Sequence, residues 1–250
     1  INKSGDTFVA WNWKANGAGS SNTDGSINST VSANTTSGFS IVSYTGTGAN
    51  ATVGHGLGST PKMIIVKRRN NVDGWQVYQH SLASGNYLRL DGTHASSNDA
   101  TRFTTTSPTS SVFSVGTAPS TNASGDTYIA YCFADVQGYS KFGSYTGNGN
   151  ADGTFIYTGF KPAFVIQKKS SASGDNWHAY DNKRDSFNET NTFLLPNHNS
   201  QEFTGNPIDF LSNGFKLRAS NSGTNQSGAT YIFMAFAEEP LVGDNPCTAR

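Results

Sequence analysis

Two short strings set an aromatic ring beside hydrogen-bonding side chains: Asp73-Gly74-Trp75-Gln76 and Asp175-Asn176-Trp177-His178. A sugar ring offers apolar C–H faces to an indole and hydroxyls to a neighbouring carboxylate, amide or imidazole. Asp73, Trp75, Gln76, Asp175, Trp177 and His178 are therefore the candidate ligand-binding residues, and a glycan is the ligand class they suit. A tryptophan at the start of a strand also serves to plug one end of a β-sandwich, so a core role competes at both positions.

Other chemistry finds less support. The histidines at 55, 80, 94, 178 and 198 have no His-x-x-x-His or Cys-x-x-Cys spacing, so neither a metal site nor a cofactor is expected. Cys132 and Cys247 are the only cysteines, too few for a disulfide framework, and Cys132 reads as an inert thiol in a strand. No Gly-x-Ser-x-Gly elbow occurs. The acidic residues fall mostly in turns such as Asp24-Gly25, Asp91-Gly92 and Asp152-Gly153, where turn formation accounts for them without a pair of catalytic carboxyls. The Gly-rich run 46–58 lacks the lysine and helix of a phosphate loop. The chain is expected not to be an enzyme, with a polysaccharide depolymerase as an alternative.

Charge excludes further classes. Seventeen basic and seventeen acidic residues cancel, and the largest basic cluster is Lys67-Arg68-Arg69, so no field exists to hold nucleic acid. Apolar runs such as Met63–Val66 and Tyr231–Ala237 are too short to cross a bilayer as helices. The first residue is Ile1 and no secretory leader is recognisable, which suggests a processed product or part of a longer protein.

The elements that must position these residues are strands. Aromatics make up 12 % of the chain and charged residues 14 %, with abundant Gly, Ser, Thr and Asn, a mix suited to short strands joined by polar turns. Runs at Phe39–Ile41, Met63–Lys67, Trp75–Tyr78, Tyr87–Leu90, Val112–Val115 and Thr127–Ala134 are bounded by Gly, Pro, Asn or Ser. Landmarks recur about one hundred residues apart. Ser43-Tyr44-Thr45-Gly46 returns as Ser144-Tyr145-Thr146-Gly147, Pro61 with Met63–Lys67 as Pro162 with Phe164–Lys168, and Ser124-Gly125-Asp126-Thr127-Tyr128 as Ser227-Gly228-Ala229-Thr230-Tyr231.

The fold expected is all-β: two tandem antiparallel β-sandwich repeats, jelly-roll-like, each with its own independent core. Repeat 1 covers 38–137, repeat 2 covers 138–240, and 241–250 is a tail. Residues 1–15 echo the last strand of a repeat and read as the end of a preceding one, with 16–37 as a polar linker. Val9, Trp11 and Trp13 align with Ile129, Tyr131, Phe133 and with Ile232, Met234, Phe236 on one face, taken as core. Tyr128, Ala130 and Cys132 lie on the opposite face, so a second surface must be covered, and a homo-oligomer, preferably a trimer by analogy, is the expected cover. The tracts 91–106 and 182–206 differ most between repeats and are the second candidate for recognition.

The combination Gly5-Asp6-Thr7-Phe8-Val9-Ala10-Trp11-Asn12-Trp13, Ser21–Ile27, Val53-Gly54-His55-Gly56-Leu57-Gly58 and Tyr139–Gly149 resembles a repeat domain of unassigned activity found in large virion proteins of marine bacteriophages. The resemblance implies a place on the virion surface, in a tail fibre, spike or capsid appendage. It implies other virion proteins as partners and host-surface recognition as a role. A purely architectural part, a capsid decoration or fibre shaft, is the alternative. The family supplies no catalytic or ligand residues.

Overall fold

The computed structural model describes residues 4–5 and 7–239. The first half contains β1 (Ser20–Asn22), β2 (Ser29–Asn34), β3 (Phe39–Thr45), β4 (Ala51–Gly54), β5 (Met63–Arg68), β6 (Gln76–Gln79), β7 (Asn86–Arg89), β8 (Ser97–Asn98), β9 (Val112–Val115), a single helical turn α1 (Pro119–Asn122) and β10 (Thr127–Phe133). The second half contains β11 (Ser140–Thr146), β12 (Phe155–Tyr157), β13 (Pro162–Lys169), β14 (His178–Asp181), β15 (Ile208–Leu211), β16 (Gly214–Leu217) and β17 (Thr230–Ala237). The chain is an all-β sandwich whose strand ladders are antiparallel.

The two halves share one topology. Strand order β3-β10-β5-β6 in the large sheet of the first half is matched by β11-β17-β13-β14 in the second, and the small sheet β4-β9 is matched by β12-β16. The repeated Ser-Tyr-Thr-Gly string explains part of this. The Tyr44 and Tyr145 hydroxyls donate to the carbonyls of Thr121 and Thr224 at 2.6 and 2.7 Å, and their rings stack on Tyr128 and Tyr231 with centroids 5.1 and 5.0 Å apart. The following glycine must lack a side chain. A Cβ on Gly46 would stand 2.3 Å from the Ala123 carbonyl oxygen, and one on Gly147 2.4 Å from that of Gln226.

Beside each glycine sits a fully buried asparagine that ties the loop together. The side-chain oxygen of Asn122 accepts from Thr47 N at 2.8 Å, and its amide donates to the carbonyls of Ala49 and Gly116 at 2.6 and 2.7 Å. Asn225 accepts from Asn148 N at 2.9 Å and donates to the carbonyls of Asn150 and Ala219, both at 2.8 Å. These groups replace with side-chain bonds the ladder that a loop cannot provide.

Four β layers enclose three cores. Between the first large sheet and β4-β9 lie Val42, Tyr44, Val53, Ile64, Val66, Phe113, Val115, Tyr128 and Ala130. Between the second large sheet and β12-β16-β15 lie Tyr145, Ile156, Val165, Tyr180, Phe210, Phe215, Tyr231 and Phe233. The third core is shared: Met63, Ile65, Val77, Leu88 and Phe133 from the first half pack against Phe142, Phe164, Ile166, Trp177, Met234 and Phe236 from the second.

That seam corrects several expectations. The two cores are not independent, because both large sheets are apolar on both faces, and the face carrying Phe133 and Phe236 is where the halves meet. The opposite face, with Tyr128, Ala130 and Cys132, is covered by the small sheet of the same half, so no second subunit is needed there. Residues 16–37 are not a linker: β1 and β2 extend the first large sheet beyond β3. Ile27, Val31 and Ala33 are that segment's inward apolar groups, and pairing with β3 makes residues 29–34 a strand.

Residues 7–15 form no strand and 7–10 are exposed, yet from 11 onward alternate side chains turn inward, and Trp11, Trp13 and Ala15 pack against the seam. Trp13 lies against Phe133, Phe164 and Phe236 with centroids 5.9, 5.8 and 5.3 Å away. The segment thus packs as part of this body, through its tryptophans. The tail 241–250 lies outside the described residues.

Candidate functional site: an aromatic cleft at the seam

The six candidate residues fall into two groups with different fates. Trp177 is 1 % exposed; its indole N–H donates to the Arg89 carbonyl at 2.9 Å across the seam, and its backbone N–H to Asn197 Oδ1 at 2.9 Å. A ring so enclosed has no face to offer a sugar, and Trp177 is core. His178 is 5 % exposed, packs tilted against Phe193 and bonds the Asn176 carbonyl at 3.1 Å; burial lowers its pKa to about 4, so the imidazole is neutral. Asp175 accepts from Lys169 at 3.0 Å and from the Ser222 hydroxyl at 2.8 Å. Both members of the second triad that could bond a ligand are spent on the protein.

In the first triad Gln76 is also enclosed, 1 % exposed, donating to the Gly74 carbonyl at 3.0 Å and accepting from Arg102 at 3.1 Å. Asp73 is partly exposed, accepts from Gly74 N at 2.9 Å and faces Arg68 at 3.7 Å. Trp75 remains half-buried and stacks on Tyr131 with centroids 6.3 Å apart at 20°. Its backbone N–H donates to Asp91 Oδ1 at 3.1 Å, and Asp91 in turn pairs with Arg89 at 3.0 Å. The Arg89–Asp91 segment therefore touches both tryptophans, one through a backbone carbonyl and the other through a side chain.

Trp75 lines a cleft of about 370 Å³ at the seam, with Trp11, Trp13, Tyr131, Leu90 and Met234 among its walls. The cleft exists because Trp11 and Trp13 bridge the two sheets from one side without filling the space between them. Its walls are almost wholly apolar. Asn12 is the exposed hydrogen-bonding residue among its walls, and Arg89 and Asp91, which flank the wall residue Leu90 in sequence, keep about a third of their side chains exposed at 36 % and 35 %. Arg89 holds the Asp91 carboxyl below the ordinary carboxylate range even though desolvation, the largest single influence, pushes the other way. Both groups are charged near neutral pH.

Sequence reasoning found Trp75 and missed Trp11, Trp13 and Tyr131 as wall residues. They carried a signal, since the aligned alternation put them on one face; that the face was a seam between halves was not readable from spacing.

The two loop tracts are built in to different degrees. In 91–106, Ser96 N donates to the Ser170 carbonyl and Gly174 N to the Thr93 carbonyl, both at 2.9 Å, so the loop latches the halves together. Arg102 lies over the Tyr87 ring at 4.4 Å. Within 182–206, Arg184 pairs with Asp181 at 3.1 Å, while Phe187 is 86 % exposed.

Cys132 is fully buried, and burial pushes its thiol up to about 12, which fits an inert group. Among the described residues no cluster of His, Cys, Asp and Glu has the arrangement of a metal site, and no helix is long and apolar enough to cross a membrane.

Residues 1–240 match the family described as Domain of unknown function (DUF7483). The chain belongs to that family. The match runs through the aromatic segment at Trp11 and Trp13 and both halves as a single unit, in keeping with a seam that needs all three. No curated protein and no solved structure matches the chain.

Proposed function

We propose that this DUF7483 chain is a non-catalytic virion-surface module, part of a phage tail fibre, spike or capsid appendage, that binds host-surface glycan at the seam cleft. The observation that carries the reading is the cleft itself: aromatic walls built from Trp75, Trp11, Trp13 and Tyr131, open to solvent, with Asn12 on its lining to meet hydroxyls. Apolar pockets of a few hundred cubic ångströms with a few polar groups nearby are the usual form of a small-ligand site. Trp75 replaces the six-residue pair of triads as the central residue.

The experiment is binding of the purified chain to an array of bacterial surface polysaccharides, repeated with Trp75→Ala. Binding by the parent and loss in a folded variant support the reading; parent chain that binds no glycan, or a folded Trp75→Ala that binds as well, removes it. A purely architectural role is the second reading, favoured by the amount of aromatic surface invested in the seam. It predicts incorporation into particles with no adhesion to cells. Release of reducing ends from the same polysaccharides would turn the reading toward a depolymerase.

A further inference from the structure

The two small sheets differ at their edges in a way their shared topology does not require. In β4 the residues hydrogen-bonded to β9 alternate with residues whose backbone groups point away from it. Those outward groups are satisfied by the segment between β1 and β2 and by the first residue of β2. Ile27 N donates to the Thr52 carbonyl at 3.0 Å, Thr52 N donates to Ser26 Oγ at 2.9 Å, and the Ser29 hydroxyl donates to the Gly54 carbonyl at 2.9 Å. Ile27 also forms a parallel bridge with Val53 and enters the core.

The counterpart edge, β12, has no such cover among the described residues. Leu217 N donates to the Thr154 carbonyl at 3.1 Å and Thr158 N to the Asn213 carbonyl at 3.0 Å, so Thr154, Ile156 and Thr158 face β16 and the backbone groups of Phe155 and Tyr157 face outward. The far edge of the same sheet is closed: Thr190 bridges Ile208, and the Asn188 side chain exchanges two hydrogen bonds of 2.9 Å with the backbone of Phe210. Folded proteins protect an edge strand by keeping it very short or with charge, proline, a bulge or a covering segment. Phe-Ile-Tyr has only its shortness, which limits the strength of any pairing, and its two aromatic rings are 43 % and 66 % exposed.

We propose that the β12 edge is a self-association surface where two copies of this chain pair strand against strand, antiparallel, about a two-fold axis. The edge is complementary to itself. Its outward groups lie symmetrically on either side of Ile156, so Phe155 of one copy meets Tyr157 of the other twice over, joining two three-stranded sheets into one of six. The same step sets each exposed Phe155 ring beside a Tyr157 ring, a favourable cross-strand pair. A contact of three residues a side is small, so the association is weak and concentration-dependent. It does not depend on glycan binding at the seam.

The test is sedimentation velocity of the whole chain from about 10 µM to about 1 mM, a range that reveals weak pairing. Reductant is included because Cys247 would otherwise join copies covalently. The expected result is a reversible doubling of mass, with slowed amide exchange at Phe155 and Tyr157 in the associated form. Tyr157→Lys puts a charge at the edge on an exposed side chain outside every core; it should stay folded and remain a monomer. Tyr157→Phe should associate like the parent. A parent that is monomeric throughout, a trimer, association that survives Tyr157→Lys, or protection confined to other strands would each overturn the proposal.

Discussion

Lys168 is fully buried in β13, on the strand that carries seam residues Phe164 and Ile166, and its ammonium has one hydrogen-bond acceptor, the Lys169 carbonyl at 2.6 Å. Desolvation lowers its pKa from 10.5 to about 8, outweighing the attraction of Asp175. A fall of that size corresponds to a cost of about 3 kcal/mol in the pH range where the amine is charged in both states. The sign follows from proton uptake. Above 10.5 the group is neutral folded and unfolded and costs nothing; as pH falls toward 8 the unfolded chain is protonated first; below 8 the full cost applies.

Lys168→Met keeps the chain length and apolar stem while removing the charge, at the expense of about 1 kcal/mol for the Lys169 carbonyl left without its donor. In urea unfolding the variant should be more stable than the parent by about 2 kcal/mol near neutral pH, and that advantage should disappear by about pH 10. Comparing the two proteins at each pH cancels the tyrosines, which also titrate in the alkaline range. An advantage that does not change with pH, or a methionine variant less stable near neutrality, would refute the reasoning.

Four further outcomes follow from the packing. Trp177→Ala should cost about 3–5 kcal/mol, because it empties a sealed position and removes a seam hydrogen bond, whereas the half-buried Trp75 should cost less on truncation; chemical denaturation separates them. Gly147→Ala drives a methyl group against the Gln226 carbonyl and should lower the thermal midpoint by several degrees, as should Gly46→Ala in the other half. His178, neutral when folded, should withdraw up to about 3 kcal/mol of stability as pH falls from 6.5 to about 4, a loss that His178→Gln should reduce in acid titrations followed by fluorescence. Since the middle core belongs to both halves, calorimetry should show one cooperative transition, and two resolved transitions would contradict the shared seam.

The strands with apolar or aromatic alternation were legible before any coordinates: the runs at 63–67, 112–115 and 127–134 became β5, β9 and β10 within a residue or two. What escaped had no such pattern. The sequence Ser-Thr-Val-Ser-Ala-Asn of β2 carries one strong β-former, and its conformation comes from pairing with β3, a contact between residues that composition alone marks as linker. The seam escaped for a related reason. Strands apolar on both faces, such as Val165 against Ile166 or Tyr231 against Ile232, announce that both sides are covered but not by what. The candidate triads failed where burial decided: Trp75 and Trp177 stand at equivalent points of the repeat, but the second half folds its indole inward against Arg89 while the first leaves its own beside an opening.

Trp13, near the start of the described chain, touches Phe236, near its end. The two ends of the described stretch are thus knotted to one another through a single cluster of rings, and everything between them is closed off as one loop of chain. Removing the stretch up to Trp13 would therefore undo packing at the opposite extreme of the polypeptide, around Phe236.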